Sequence, residues 1–191
     1  MTAGGAGRVI AGTARGIRLE APGATTRPLA DRVKETLFAI LEPDLPGAVV
    51  LDLFAGSGAA GIEALSRGAA RAVFVERDKA AAAVIAENLA RTHLGGERAR
   101  IVRAEALAWL LGPDAAAAGP FDIVIADPPY AETGLLAAAL DALGPHLALG
   151  ARVVAKHFWR DTPPQPGLLA SERERRFGET SLTFYRRAED R

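Results

Sequence analysis

Two periodicities alternate along the middle of the chain. Apolar runs of strand length are separated by segments whose apolar residues recur at helical spacing. The runs are 48–53, 72–76, 99–103, 121–126 and 151–156, and the helical segments are 58–67, 78–91, 107–111 and 133–143. Since strands that alternate with helices build a mostly parallel sheet covered on both faces, the pattern predicts an α/β fold.

Other patterns flank this central region. Residues 8–19 hold two short β-prone pieces around a glycine, which predicts a small hairpin. Residues 30–41 have the apolar spacing of a helix. Near the other end, 168–176 and 180–187 are β-prone and are separated by Gly178, which predicts a closing hairpin.

These patterns predict how the chain is organised. We expect residues 1–28 to form an N-terminal hairpin extension and residues 29–191 to form the main domain, because 191 residues are ample for one core and few for two. The alanine stretch 115–118 is expected to be a loop without a chemical role.

Composition narrows the class of protein. A hydrophobic content of 49% with 24% charged residues is ordinary for a globular protein, and no apolar run is long enough to span a membrane. The chain has no cysteine, and its first residues lack a secretory pattern, so we expect a cytoplasmic protein. The sequence carries no signal for an oligomer, and a monomer is the simpler expectation. The three scattered histidines lack metal-ligand spacing, and no metal is expected.

The net charge of zero conceals an uneven distribution. Residues 1–38 carry six basic and three acidic residues, and residues 151–191 carry nine basic and six acidic ones. The middle, 39–150, carries eight basic and fourteen acidic residues. Positive ends around a negative middle are consistent with a polyanion that is contacted by the ends of the chain.

The stretch Asp127-Pro128-Pro129-Tyr130 directly follows the apolar run 121–126. It is therefore expected at the carboxyl edge of the sheet, where open α/β folds bind ligands. Two prolines fix φ and remove two N–H donors, which leaves a carboxylate and a bare carbonyl beside an aromatic ring. These acceptors suit a planar exocyclic amine.

A glycine-rich turn follows the first core strand. Gly56 and Gly58 permit close backbone approach ahead of a helix N-terminus, and with Gly61 they satisfy the dinucleotide-binding spacing G-x-G-x-x-G. Glu76, twenty positions after Gly56, ends the next strand and is expected to accept hydrogen bonds from ribose hydroxyls.

Two features favour S-adenosylmethionine over a nicotinamide cofactor at this turn. Asp52 suits the cationic amino or sulfonium group of S-adenosylmethionine but would repel a pyrophosphate by roughly 1–4 kcal/mol at contact distance. A hydride-transfer enzyme also has no use for the acceptor pair at Asp127. Glu105, after the third strand, is expected either to contact the adenine or to cap the following helix.

Three segments together resemble the RsmD family, bacterial guanine-N2 methyltransferases of 16S ribosomal RNA. They are residues 26–38 (TRPLADRVKETLF), 52–58 (DLFAGSG) and 127–130 (DPPY), and the closing segment 174–180 is also similar. The resemblance covers about residues 8–187. It implies a Rossmann-like class I methyltransferase fold with a seven-stranded sheet, S-adenosylmethionine as cofactor, and RNA of the small ribosomal subunit as partner.

The resemblance also implies roles for individual residues. Those expected to act in catalysis are Asp127, Pro128 and Tyr130. Those expected to bind the cofactor are Asp52, Phe54, Gly56, Gly58, Glu76, Arg77, Glu105 and Asp127. The positive charge around the predicted hairpin, rather than the resemblance, suggests RNA contacts by Arg8, Arg15, Arg18 and Arg27, because guanidinium groups match phosphate oxygens. For Arg27 the alternative is a structural bond to the loop beneath the cofactor.

Several alternatives stay open from the residues alone. A carboxylate and a carbonyl accept any planar amine, so adenine-N6, cytosine-N4 and protein amide substrates are compatible with the motif. The glycine spacing with Glu76 also fits an NAD-dependent dehydrogenase. A non-catalytic RNA-binding module would not require an intact Asp-Pro-Pro-Tyr motif.

Overall fold

The computed structural model describes residues 7–23, 31–132 and 134–188. Its centre is a seven-stranded sheet of order β3-β2-β1-β4-β5-β7-β6. The strands are β1 (Val49–Leu53), β2 (Arg71–Val75), β3 (Ala99–Val102), β4 (Phe121–Ala126), β5 (Leu147–Phe158), β6 (Leu169–Phe177) and β7 (Thr180–Arg187). The first five pair in parallel, and β7 pairs antiparallel with both β5 and β6. The predicted mostly parallel sheet with a closing hairpin is confirmed.

Within the described residues, six α-helices accompany the sheet. They are α1 (Asp31–Leu41), α2 (Ala59–Ser66), α3 (Lys79–Thr92), α4 (Ala106–Leu110), α5 (Pro113–Ala118) and α6 (Leu135–Leu143). Two buried apolar clusters lie on the two faces of the sheet. One includes Phe38 of α1 and Phe74 of β2, and the other includes Trp109 of α4 and Leu140 of α6. None of the helices in the described residues is long and apolar enough to cross a membrane.

The stretch 115–118 lies in helix α5, and its prediction as a loop is wrong. Pro113 occupies the first turn, where its missing N–H costs nothing, and Asp114 favours the positive end of the helix dipole. Ala115 and Ala118 are buried. The small side chains of the alanine stretch therefore allow this helix to pack closely against the core.

The N-terminal segment 7–23 is docked on helix α2. Its two arms meet at a single antiparallel bridge, Arg8 with Arg18. The backbone N–H groups of Ile10 and Ala11 donate to the buried carboxylate of Glu63 at 2.8 and 3.0 Å. Because Glu63 belongs to α2, the segment is fixed to the element that follows the glycine-rich turn.

The sheet order reverses direction between β1 and β4, since β2 and β3 extend to one side and β4 and β5 to the other. Connections from β1 and β4 leave the sheet on opposite sides of this point, which opens a crevice at the carboxyl ends of the strands. Asp52 in β1 and Asp127 after β4 are placed at that crevice, because Leu53 pairs with Ala126.

Gly61 sets how closely α2 approaches the sheet. A Cβ at this position would lie 2.3 Å from a ring carbon of Phe74, whose side chain is fully buried in β2. Gly61, the third glycine of the G-x-G-x-x-G pattern, thus allows close packing of the helix on the strand, which is the role of that position in the pattern.

We therefore expect Gly61→Ala to destabilise the protein by about 1–3 kcal/mol, because overpacking outweighs the gain of about 1 kcal/mol that alanine normally brings to a helix. Urea unfolding would measure the change. Gly167→Ala is the control, since nothing lies within 4 Å of a Cβ there. Equal stability of Gly61→Ala and the wild type would contradict this account.

Candidate active site

A cavity of about 900 Å³ lies at the carboxyl ends of β1, β2, β4 and β5. Nearly all of the predicted cofactor and catalytic residues line it, namely Asp52, Phe54, Gly56, Glu76, Arg77, Glu105, Asp127, Pro128 and Tyr130. Pro22 of the N-terminal segment also reaches its wall. The tertiary structure thus brings the glycine-rich turn and the Asp-Pro-Pro-Tyr motif to one space.

The glycine-rich turn has an unusual backbone. Phe54 has a φ of 71°, a left-handed conformation that is rare for a bulky residue, and Gly56 has a φ of 55°. The N–H of Gly56 donates to Glu76 Oε2 at 2.7 Å, and Oε1 of the same carboxylate accepts from the N–H of Asp78 at 2.8 Å. Glu76 therefore holds the turn and the start of α3 in fixed positions beside the cavity.

Gly58 stands apart from the other predicted cofactor residues. It does not line the cavity but forms the N-cap of α2 with a φ of 76°. A Cβ there would approach Ile85 of α3 at 3.1 Å. Its requirement for glycine is explained by backbone conformation and by helix packing, without a direct cofactor contact.

Asp52 is a carboxylate almost without solvent contact, 2% exposed, on the wall of the cavity. It accepts a hydrogen bond from the N–H of Gly61 at 2.8 Å, which ties β1 to the first turn of α2. Burial raises the pKa of Asp52 to about 8, and the charges of Asp127 and Glu76 add to this effect while the Gly61 bond opposes it. A cationic ligand group in the cavity would favour the ionised form.

Asp127 forms an ion pair that the sequence did not reveal. Lys156 Nζ lies 2.6 Å from its Oδ1 and 2.8 Å from its Oδ2. The two side chains are only 22% and 15% exposed. Burial raises the pKa of Asp127 above its ordinary value, and Lys156 opposes that rise. The backbone N–H of Asp127 donates to Leu53 O at 3.3 Å, so the motif is fixed to β1.

The carbonyl oxygens of Pro128 and Pro129 differ in whether they accept a hydrogen bond. Pro129 O accepts from the N–H of Glu132 at 3.1 Å, whereas Pro128 O accepts no hydrogen bond from the described residues. Pro128 is buried on the cavity wall. The site therefore presents a carboxylate together with an unused carbonyl acceptor.

Tyr130 lies at the rim of the cavity and is 46% exposed. Its hydroxyl is 2.9 Å from Thr180 Oγ1 at the start of β7. Lys156 Nζ lies 5.3 Å from the centre of the tyrosine ring, a distance at which a cation is attracted to an aromatic face. The ring is thus positioned from both sides while part of its surface remains accessible.

Arg77 joins two loops at the mouth of the cavity. Its guanidinium donates to Glu132 Oε1 at 2.5 Å and to Glu105 Oε1 at 3.4 Å. Glu105 is the N-cap residue of α4 but makes no side-chain capping bond, so the capping alternative is not observed. Its side chain is instead turned to Arg77 beside the cavity.

The predicted RNA contacts lie outside the cavity. Arg8, Arg15 and Arg18 are exposed on the N-terminal segment, and Arg8 is 3.5 Å from Asp31. Arg15 and Arg18 form no ion pair within the described residues. Arg27 lies outside the described residues.

Comparisons with known proteins agree with this geometry. The family model described as Conserved hypothetical protein 95 matches residues 7–186. The chain belongs to this family. Ribosomal RNA small subunit methyltransferase D of Escherichia coli is 38% identical over 184 residues, which cover 94% of this chain and 89% of that protein. The predicted RsmD family is therefore confirmed.

Further members of the family give the same result. Putative rRNA methyltransferase YlbH of Bacillus subtilis is 36% identical over 184 residues, covering 94% of this chain and 98% of the relative. The solved structure of putative methyltransferase yhhF from Escherichia coli has a TM-score of 0.85 at 36% identity and covers 97% of this chain and 99% of its own. The predicted methyltransferase class is confirmed, and the dehydrogenase alternative is set aside.

Two cavity residues, Lys156 and Glu132, were absent from the predicted site. A signal for Lys156 existed, because it ends an apolar strand predicted to follow the one that carries Asp127. The observed register pairs Ala126 with Ala155, so the next residues along the two strands, Asp127 and Lys156, are neighbours. Glu132 had no comparable signal, since its partner Arg77 is 55 positions away.

Asp52→Asn tests the buried carboxylate. Asparagine can still accept from Gly61 but cannot ionise, so we expect binding of S-adenosylhomocysteine to weaken about tenfold or more and proton release on binding at pH 7 to disappear. Titration calorimetry in buffers of different ionisation enthalpy would measure both. Unchanged affinity and proton release would contradict the role of the charge.

The same variant has an expected effect on stability. Because folding raises the pKa of Asp52 from 3.8 to about 8, the folded state holds a proton that the unfolded state lacks between those values. The contribution of Asp52 to stability therefore falls as pH rises through this window. We expect the melting temperature of Asp52→Asn, relative to that of the wild type, to increase from pH 5 to pH 8. The increase should be about 2–4 °C for each kcal/mol by which the difference in unfolding free energy changes.

Proposed function

We propose that this protein transfers a methyl group from S-adenosylmethionine to the N2 amine of a guanine in 16S ribosomal RNA, acting as a monomer in the cytoplasm. The observation that carries the proposal is the position of Asp127 and the unused Pro128 carbonyl on the same cavity as the glycine-rich turn. The names of the relatives, ribosomal RNA small subunit methyltransferase D among them, support the RNA substrate.

The residues of the cavity fit S-adenosylmethionine. Asp52 offers a buried carboxylate to a cationic group, and the remaining lone pairs of Glu76 can accept from ribose hydroxyls. Phe54, Arg77 and Glu105 provide the walls around an adenine. When bound, this cofactor supplies an electrophilic methyl group on a sulfonium centre.

Asp127 and Pro128 act on the amine. The lone pair of an exocyclic guanine amine is delocalised into the ring, so the nitrogen is a weak nucleophile. The carboxylate and the carbonyl accept its two N–H groups, which localises the lone pair and orients it into the cavity. Positioning and preorganised electrostatics of this kind supply the acceleration without a covalent enzyme nucleophile.

Lys156 controls the charge of the acceptor pair. Without a cation beside it, a carboxylate as enclosed as Asp127 would bind a proton and lose one of its acceptor sites. Lys156 stabilises the ionised form through contacts to both oxygens. As the N–C bond forms and the C–S bond breaks, Asp127 or water takes the proton that the amine releases.

Tyr130 and the N-terminal arginines act on the RNA. A paired guanine cannot present its N2 to the cavity, so the target nucleotide is extruded or lies in an irregular segment. The exposed part of the Tyr130 ring stacks on the base, an interaction worth roughly 1–3 kcal/mol in single-strand binders. Arg8, Arg15 and Arg18 hold phosphates, with Arg27 as a further candidate.

Replacement of Asp127 tests the acceptor pair. We expect Asp127→Ala and Asp127→Asn to lower methyl transfer to 16S ribosomal RNA by at least about 100-fold, in keeping with the loss of a preorganised electrostatic group. Tritium transfer from labelled S-adenosylmethionine would measure activity, and calorimetry should find S-adenosylhomocysteine binding within a few-fold of wild type. Near-normal turnover by either variant, or labelling at a nucleotide atom other than guanine N2, would refute the proposal.

The pH profile tests Lys156. Activity requires ionised Asp127, so kcat/KM falls as pH drops through the raised pKa of that group. Lys156→Met removes the opposing cation, so we expect the acidic limb to move to higher pH. Lys156→Arg should keep the limb near that of the wild type, and Lys79→Met, an exposed lysine outside the cavity, is the control. An unmoved limb in Lys156→Met would exclude this role.

A further inference from the structure

A row of three aromatic rings leads away from the rim of the cavity. The ring centres of Tyr130 and Phe158 are 6.3 Å apart, and those of Phe158 and Trp159 are 6.2 Å apart. The backbone N–H of Trp159 donates to Glu179 O at 3.0 Å. With the bond from Tyr130 to Thr180, this contact fixes the row to the turn between β6 and β7.

Two arginines lie against the last ring of this row. The guanidinium carbon of Arg176 is 3.6 Å from the centre of the Trp159 ring, and that of Arg160 is 4.9 Å from it. Both arginines are exposed. Arg176 Nε donates to Gly178 O at 2.9 Å, which leaves its terminal N–H groups for another acceptor. Stacking on the indole thus orients two cations toward solvent.

The two guanidinium groups are not neutralised within the described part of the chain. Neither forms an ion pair there, although Asp161 and Glu179 are close to them in sequence. By contrast, Arg186 on the same hairpin binds Glu172 at 2.8 Å. Two exposed guanidinium groups without an ion-pair partner among the described residues therefore lie beside the aromatic row.

We propose that Tyr130, Phe158, Trp159, Arg160 and Arg176 form an aromatic–arginine surface that binds the single-stranded RNA flanking the target nucleotide. This inference rests on the proposed function, because it takes the cavity as the position of the target base. It adds a second RNA contact at the closing hairpin, separate from the N-terminal arginines.

The chemistry of the surface matches this occupant. Single-stranded RNA is bound by aromatic rings and guanidinium planes that stack on its bases, together with cations that contact its phosphates. The surface has both, and it is continuous with the cavity through Tyr130. The backbone on one side of a nucleotide inserted beside Asp127 would therefore pass over Phe158 and Trp159.

The experiment compares two double variants with equal loss of charge. Arg160→Gln/Arg176→Gln removes the two cations of the aromatic–arginine surface. Arg100→Gln/Arg103→Gln removes two exposed arginines in and just after β3, the edge strand at the opposite side of the sheet. Both proteins are titrated with a 16S ribosomal RNA transcript and with a labelled single-stranded RNA of about 10 nucleotides over a range of salt concentrations.

For Arg160→Gln/Arg176→Gln we expect about a tenfold or greater loss of RNA affinity and a salt dependence of log K shallower by about 1.4, the value for two phosphates of a single strand. The control pair should bind as the wild type does. Trp159→Ala should weaken binding roughly 5- to 150-fold. Melting temperature and S-adenosylhomocysteine binding are measured in parallel, so that loss of folding in Trp159→Ala is recognised. If Trp159→Ala does not fold, the result for Arg160→Gln/Arg176→Gln decides whether the surface binds RNA.

The outcomes separate this inference from the proposed function. If wild type methylates guanine but both double variants bind RNA equally well, the aromatic–arginine surface is refuted and the proposed function stands. If the surface pair loses RNA affinity but wild type methylates no guanine, the surface stands and the proposed function fails. A loss of affinity with an unchanged salt slope would also overturn the assigned phosphate contacts.

Discussion

The site depends on two largely buried carboxylates, Asp52 and Asp127, on the wall of one cavity. Asp52 lies in β1 and Asp127 directly follows the adjacent strand β4. Burial disfavours the charge of each, and the charge of Asp127 further disfavours that of Asp52. Different groups of the protein stabilise the two carboxylates. Asp52 receives a backbone N–H from Gly61, whereas Asp127 receives the full charge of Lys156. The two carboxylates thus differ in their stabilising partners, which suits the roles that we propose for them, Asp52 beside a cationic group and Asp127 beside an amine.

This difference follows from the topology of the sheet. At the switch point, β1 is followed by a tight turn into α2, so the N–H groups of that helix lie beside Asp52. The strand β4 has β5 on its other side, and a long basic side chain from β5 reaches Asp127. Parallel register brings the ends of neighbouring strands to one edge, whatever their separation along the chain.

The strained backbone of the glycine-rich turn is held in place by its neighbours. Phe54 is held in a left-handed conformation, which costs about 1–3 kcal/mol, and such positions persist only where neighbours fix them. Here the fixing group is Glu76, which binds the turn at Gly56 and the start of α3 at Asp78. The acidic residue expected from the dinucleotide pattern therefore has a structural task in addition to any contact with ribose.

The two groups of arginines that we propose as RNA contacts are held in place by different means. The N-terminal arginines project from a segment anchored on α2 through Glu63. The arginines of the closing hairpin are oriented by stacking on Trp159. The negative middle of the chain lies between these regions in sequence and contributes the carboxylates of the cavity, which explains why a net charge of zero is compatible with a polyanionic substrate.

The amino-acid sequence by itself determined the alternation of strands and helices, the glycine-rich turn and the Asp-Pro-Pro-Tyr motif, because these features arise from residues close together in the chain. Local patterns also identified Asp52 and Glu76, each at the end of a readable strand. They did not reveal that Gly58 faces Ile85, that Lys156 binds Asp127, or that Arg176 stacks on Trp159. Those contacts join residues 17 to 29 positions apart, and only the packing of α2 on α3 and the register of β4, β5, β7 and β6 decide which side chains meet.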